Sequence, residues 1–328
     1  MRKLLLSALL ISSCAESTPE TGPELDINIS RVTVSGVSAG AHMAHQLHVA
    51  YSDVFSGAGI FSGGPYNCAD NSLNQGLSLC MMNTETPIDV DAIADGIRQA
   101  SAKGELADPA NLADDRVWMF HGTKDSKIST QVHAAAAELY AEFMAPEQIV
   151  NVDDFEADHV FPTDGRGVNC MAVEPPYVGD CGYDGAGVML QFLYPGLIEP
   201  SEDTPGKIGL LETKLPGAGD AELLETAYMF VPEDCAGGQQ GCALHLVLHG
   251  CAQSTEAVGM DFIELSGYLP WAEANDIVLL FPQVAKSLVA PLNPHGCWDW
   301  WGYTGDDYAK RNGKQMKVLV DWIKGLAQ

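Results

Sequence analysis

Ser38, Asp125 and His159 are the residues whose types, order and neighbours could together carry out acyl transfer. A serine hydroxyl is a weak nucleophile at neutral pH. It needs a base, a group that orients the base, and donors for the developing oxyanion. Ser38 centres a G-x-S-x-G motif (Gly36 to Gly40) in RVTVSGVSAGAHMAHQ, where an apolar strand runs into a turn and then a helix. That context lifts a serine Oγ clear of a sheet edge. Asp125 follows the apolar run VWMFHG, and His159 follows IVNVDDF. With 33 glycines in the chain, the motif alone would say little. The weight lies in three residues in the order serine, acid, histidine, each just past a strand.

The elements that must position them alternate. VFSGAGIFSG, DRVWMFHG and QIVNVDDF read as strands, and VDAIADGIRQASAKG, VHAAAAELYAEFM and GAGVMLQFLYPGL as helices. Residues 164–185 read as a long loop. The expected fold is therefore α/β, of the α/β-hydrolase type, with a mostly parallel central sheet flanked by helices. Almost nothing precedes the Ser38 strand, although such folds place several strands before it. After EPSEDTPGK the pattern restarts, with IGLLETKL and ETAYMFVP as the arms of a hairpin and ALHLVLHGC as a buried strand ending in an HG turn. In these hydrolases one oxyanion amide follows the nucleophile and another comes from an HG-type turn after an early strand. Here the residue after the nucleophile is Ala39, and the only apolar strand ending in such a turn is LHLVLHGC, Leu244 to Cys251, which comes last. The order implies a circular permutation with its join near 199–210, a change that folds tolerate when the original termini lie close together.

Composition bounds the rest. The chain has 328 residues, 46% of them hydrophobic, enough for one large α/β domain, expected over 28–328. Lys and Arg number 17 against 44 acidic residues, a net charge of −27, which disfavours nucleic acid and anionic lipid as partners. MRKLLLSALLISSC has a basic pair, an apolar run too short to span a bilayer, then small residues, so 1–13 reads as a secretory signal. ISSC resembles a bacterial lipobox, with Cys14 as the lipidated residue and 14–27 as a flexible tether. The expected location is secreted or cell-surface (outer membrane), with membrane contact only through that anchor. Eight further cysteines in an exported chain suggest disulfides, and sequence alone allows 105 pairings. No C-x-x-C pair occurs. His42, His45 and His48 share a helix without an acidic or cysteine partner beside them, so no metal is expected.

The segments GVSAGAHMAHQLHVAYSDVFSGAGIFSGGPYNCA, HVFPTD, GYDGAG, LHLVLHGCAQS and NPHGCWDWWGY together resemble the circularly permuted, single-domain poly(3-hydroxybutyrate) depolymerases of fungi and their bacterial relatives. The resemblance covers most of residues 30–325. It implies a nucleophile at Ser38, an acid at Asp125, a base at His159, oxyanion amides at Ala39 and Cys251, and polyester hydrolysis without a cofactor. Trp298, Trp300, Trp301 and Tyr303 are the expected chain-binding wall, with Tyr66, Met81 and Met82 opposite. Cys251 is expected to join Cys297 and fix the oxyanion turn, leaving Cys68–Cys80, Cys170–Cys181 and Cys235–Cys242 as local pairs. The partner is an insoluble polyester, and the enzyme is expected to be a monomer. The alternatives are a small-ester carboxylesterase of feruloyl or acetylxylan type, and a non-catalytic surface lipoprotein that binds polymer.

Overall fold

Short apolar runs bounded by glycine and polar residues become strands buried on both faces. The computed structural model describes residues 27–83, 85–201, 209–236 and 241–326. Its strands are β1 (Ile27–Val37), β2 (Gly57–Phe61), β3 (Arg116–Gly122), β4 (Ile149–Phe155), β5 (Phe161–Thr163), β6 (Val168–Asn169), β7 (Val178–Asp180), β8 (Leu210–Lys214), β9 (Thr226–Phe230), β10 (Cys242–Leu248) and β11 (Ile277–Phe281). An eight-stranded sheet runs in the order β4-β3-β2-β1-β10-β11-β9-β8, and a small second sheet in the order β5-β7-β6. In the large sheet only β9 breaks the parallel run, being antiparallel to both β11 and β8.

Side-chain alternation divides each inner strand between two cores. On β10, Leu244, Leu246 and Leu248 face one core, and Ala243 and Val247 the other. On β3, Val117 and Met119 oppose Trp118 and Phe120 in the same way. The first helices are α1 (Ala39–Ala50), α2 (Leu73–Leu79), α3 (Val90–Ala102), α4 (Thr130–Ala141) and α5 (Gly185–Leu193). Leu47 of α1, Ile97 of α3, Leu139 of α4 and Leu319 of the Lys314–Leu326 helix fill the first core. Leu190 of α5 and Leu269 of the Tyr268–Ala274 helix fill the second. Asp89, Ser129 and Asp184 cap α3, α4 and α5 through side-chain oxygens that accept backbone N–H bonds, which sets where each helix begins.

The expected hairpin is the antiparallel pair β8–β9, with Leu211 opposite Met229. Residues 164–185, read from sequence as loop, include β6 and β7. Strands of two and three residues are too short to leave a periodic signal. β10 follows β1 to β4 in the chain yet lies beside β1, with Val34 opposite Leu246. Its terminal turn thereby arrives next to Ser38. The described residues hold four disulfides: Cys68–Cys80, Cys170–Cys181, Cys235–Cys242 and Cys251–Cys297. The expected signal segment, Cys14 and most of the expected permutation join lie outside the described residues. No described helix is long and apolar enough to cross a membrane.

Candidate active site

Parallel strands bring their C-terminal ends to one edge, and open α/β sheets bind ligands there. Ser38 follows β1, Asp125 follows β3, His159 follows β4, and the His249–Cys251 turn follows β10. Ser38 has φ 58 and ψ −120, a sparsely populated conformation of the kind stored at functional sites. Its amide donates to Phe61 O at 2.9 Å. The two motif glycines permit the turn. A Cβ on Gly36 would lie 2.2 Å from Gly40 O, and one on Gly40 would lie 2.4 Å from Leu248 O. The motif thus packs backbone directly onto the end of β10.

Asp125 is buried and heavily bonded. Its Oδ1 accepts from the Lys127 and Ile128 amides, both at 2.8 Å. His159 Nδ1 lies 2.9 Å from Oδ2 and 3.0 Å from Oδ1. Burial pushes the Asp125 carboxyl up, but the His159 bond and charge, with the two amides, outweigh it and hold it at about 2. The carboxylate therefore contributes stability that is fully present above the ordinary carboxylate range. That contribution is lost as pH falls through about 2. With Nδ1–H donated to Asp125, Nε2 of neutral His159 keeps its lone pair, as a general base requires. Nothing in the sequence singles out Asp158. Its Oδ1 accepts from both Ser126 N, at 2.8 Å, and His159 N, at 2.7 Å. One carboxylate thus clasps the Asp125 loop to the His159 loop.

Ala39 opens α1, so its amide has no intrahelical acceptor. The second donor is framed by bonds around it. Trp298 Nε1 donates to His249 O at 2.9 Å. The Val284 amide donates to His249 Nε2 at 3.2 Å, which makes Nδ1 the protonated nitrogen, 2.7 Å from Gly250 O. Burial lowers the His249 pKa to about 4, so the ring is neutral at physiological pH. Gly250 N donates to Gln253 Oε1 at 2.6 Å, and Ala252 N to His295 O at 2.6 Å. Among the described residues, the amide of Cys251 is the one of these three without a bonded acceptor. In a trans peptide it points opposite to Gly250 C=O, away from the His249 ring. The turn abuts the nucleophile strand, since a Cβ on Gly250 would sit 3.4 Å from Ser38 Cβ.

The aromatic loop departs from expectation. Trp298 is 0% exposed and supports the His249 carbonyl, so it has no face to offer a polymer. Tyr303 OH donates to Cys297 O at 2.8 Å and accepts from Gln315 Nε2 at 2.8 Å, bracing the loop from within. Tyr66 is buried, its hydroxyl donating to Ala309 O at 2.7 Å. Trp300 is buried and stacks on His42, centroids 4.8 Å apart, while Trp301 is half-buried against Tyr303. The cause is Asp299. Its carboxylate accepts from the amides of Gly302, Tyr303 and Thr304 and from the Thr304 hydroxyl, winding the loop around itself. Burial raises the Asp299 pKa despite those bonds. Of the residues expected opposite, Met81 is partly buried and Met82 is exposed.

The histidines of α1 separate. His45 stacks on Tyr140 at 4.2 Å, and His48 Nε2 lies 3.1 Å from Asp115 Oδ2. His42 is held neutral, its pKa lowered to about 3 by burial and by nearby His159. A neutral His42 adds no like charge against an imidazolium forming on His159. Together the groups at this edge suit nucleophilic acyl transfer: a strained serine, a histidine oriented by a buried carboxylate, and two amides beside the serine.

Comparison with known proteins agrees. The chain is 34% identical over 314 residues to the polyhydroxybutyrate depolymerase of Talaromyces funiculosus, covering 92% of this chain and 91% of that one. It is 36% identical over 307 residues to the poly(3-hydroxybutyrate) depolymerase of Delftia acidovorans, covering 92% of this chain and 61% of that longer relative. The chain thus spans about three fifths of the Delftia protein. The crystal structure of a PHB depolymerase from Penicillium funiculosum matches with a TM-score of 0.87 at 34% identity, covering 93% of this chain and 98% of that one. A PHB depolymerase complexed with R3HB trimer matches with the same TM-score at 33% identity, over the same shares of both chains. No family model matches the chain.

Proposed function

Because this chain belongs to the poly(3-hydroxybutyrate) depolymerase family, we propose that it hydrolyses the ester bonds of poly(3-hydroxybutyrate) through an acyl-enzyme on Ser38. The observation that carries the residue assignment is the His159 Nδ1–Asp125 pair at 2.9 Å, on the sheet edge that also bears Ser38. His159 Nε2 takes the Ser38 proton as Oγ attacks the ester carbonyl. Asp125 stabilises the imidazolium, and the Ala39 and Cys251 amides hold the tetrahedral oxyanion. His159 then protonates the departing alcohol end of the chain. Water, deprotonated by His159, next attacks the acyl-serine, freeing a 3-hydroxyacid end and regenerating Ser38. We read residues 28–328 as one catalytic unit whose strand order is circularly permuted. The reading is supported by β10, late in the chain yet beside β1.

A solid polyester has to be gripped at its surface. Leu288, Val289 and Leu292, 81%, 74% and 63% exposed, lie in the loop that leads to His295 and the oxyanion turn. Leu73 and Leu77 are exposed on α2, whose Gly76 packs against Trp300. Exposed apolar side chains such as these suit an apolar polymer face. Purified enzyme should clear a suspension of poly(3-hydroxybutyrate) granules and release soluble hydroxyacids. If soluble aryl esters are cleaved while granules stay turbid, the small-ester reading replaces this one.

We also propose export and lipid anchoring at Cys14, supported by the ISSC motif and the basic–apolar segment before it. Mass spectrometry of the protein from its native host should find diacylglyceryl-cysteine at position 14. An unmodified N-terminus elsewhere contradicts the anchor.

A further inference from the structure

One buried side chain bridges the oxyanion turn to the segment beside the base. Gln253 is 3% exposed, and both the oxygen and the nitrogen of its amide are bonded. Oε1 accepts the Gly250 N–H at 2.6 Å, one residue before the proposed oxyanion donor. Nε2 donates to Pro176 O at 2.9 Å and to Tyr177 O at 3.2 Å. The flipped amide would set NH2 against a donor and its oxygen against two carbonyls, so the orientation is fixed by the partners.

What Gln253 grips on its far side belongs to the base. Tyr177 O also accepts the Phe161 amide at 2.9 Å, two residues past His159, and β7 pairs with β5 from Phe161 opposite Val178. Tyr177 has φ 57, an outlier for a bulky residue that persists only where its surroundings hold it. Asp158 N meanwhile donates to Cys170 O, fastening the same strap to the residue before His159. The oxyanion turn after β10 and the His159 loop after β4 sit on strands separated in the sheet by β3, β2 and β1. The sheet sets the spacing of the strands, but its ladders do not tie the two loops beyond their ends to each other.

We propose that Gln253 is a positioning residue that sets the Cys251 amide in register with His159 by clamping Gly250 to the Pro176–Tyr177 backbone. The inference rests on the reading of Cys251 as an oxyanion donor. An oxyanion donor acts only when already in place as charge develops, so loosening this clamp weakens binding of the tetrahedral state and spares the ground-state ester.

The test compares wild type with Gln253→Met, which keeps the volume and loses all three bonds, on p-nitrophenyl butyrate and with butylboronic acid as a tetrahedral probe. Expected are a kcat lowered about 30-fold, a KM within about twofold, and a boronate inhibition constant raised in step with the kcat loss. An unchanged kcat, or a loss carried by KM with boronate binding intact, overturns the proposal. Should Gln253→Met not accumulate as folded protein, Gln253→Glu is read by the same three numbers, since it keeps an acceptor for Gly250 and loses the donors. Wild-type turnover of the ester separates the two levels. Its absence would defeat the hydrolase reading itself, whereas normal turnover in both wild type and variant defeats only the clamp.

Discussion

Replacing Ser38 or His159 by alanine should lower ester turnover by at least about 10³-fold while leaving the fold intact. Ser38 is the proposed source of the attacking oxygen, and its strained backbone is imposed by the Gly36–Gly40 contact and the packing of Gly40 on β10, neither of which involves the hydroxyl. His159 is the proposed base, and its loop is held by its own amide donating to the Asp158 carboxylate and by Asp158 N donating to Cys170 O, bonds that alanine at 159 can retain. Catalytic groups acting as one unit are not additive, so the double replacement should be hardly slower than either single one. Circular dichroism and a urea midpoint close to wild type would show that the loss is chemical. Near-normal turnover in folded Ser38→Ala would remove Ser38 from the mechanism.

The second large effect concerns Cys251 and Cys297, joined across 46 residues of sequence. Replacing both by alanine should cost about 4 kcal/mol of stability in the chain-entropy treatment of a loop of that length, read as a lower urea midpoint. It should also lower kcat by about tenfold, because Cys251 bears the proposed donor and a looser turn aims it less well. Trp298, His249 and Gln253 still hold the turn in this variant, which is why the activity loss stops short of removing a donor outright. An unchanged midpoint together with unchanged kcat would mean that those three side chains suffice and the disulfide contributes to neither.

The triad candidates were legible because each carries local context. Glycines flank Ser38 at the spacing that a tight strand–helix turn demands, and Asp125 and His159 each follow an apolar run long enough to read as a strand. The late HG turn announced the unusual chain order for the same reason. What failed to show was direction. Trp298 and Trp300 sit in a polar loop sequence, and composition alone suggests an outward wall. Asp299, gathering four donors from residues 302–304, turns that loop inward and buries them. Gln253 was illegible in a different way. Its partners Pro176 and Tyr177 lie 77 and 76 residues earlier, and no local pattern announces a contact of that range. Asp158 stands next to His159, but an acidic residue in a loop gives no sign that it reaches Ser126.

The most direct measurement is peptide mapping after treatment with a fluorophosphonate, which labels only a serine whose proton is removed by a base and whose oxyanion is held. A single adduct is expected on the peptide carrying Ser38 in wild type, and a strongly slowed one in His159→Ala. Labelling of another serine, or equal labelling of Ser38 with and without His159, would contradict it.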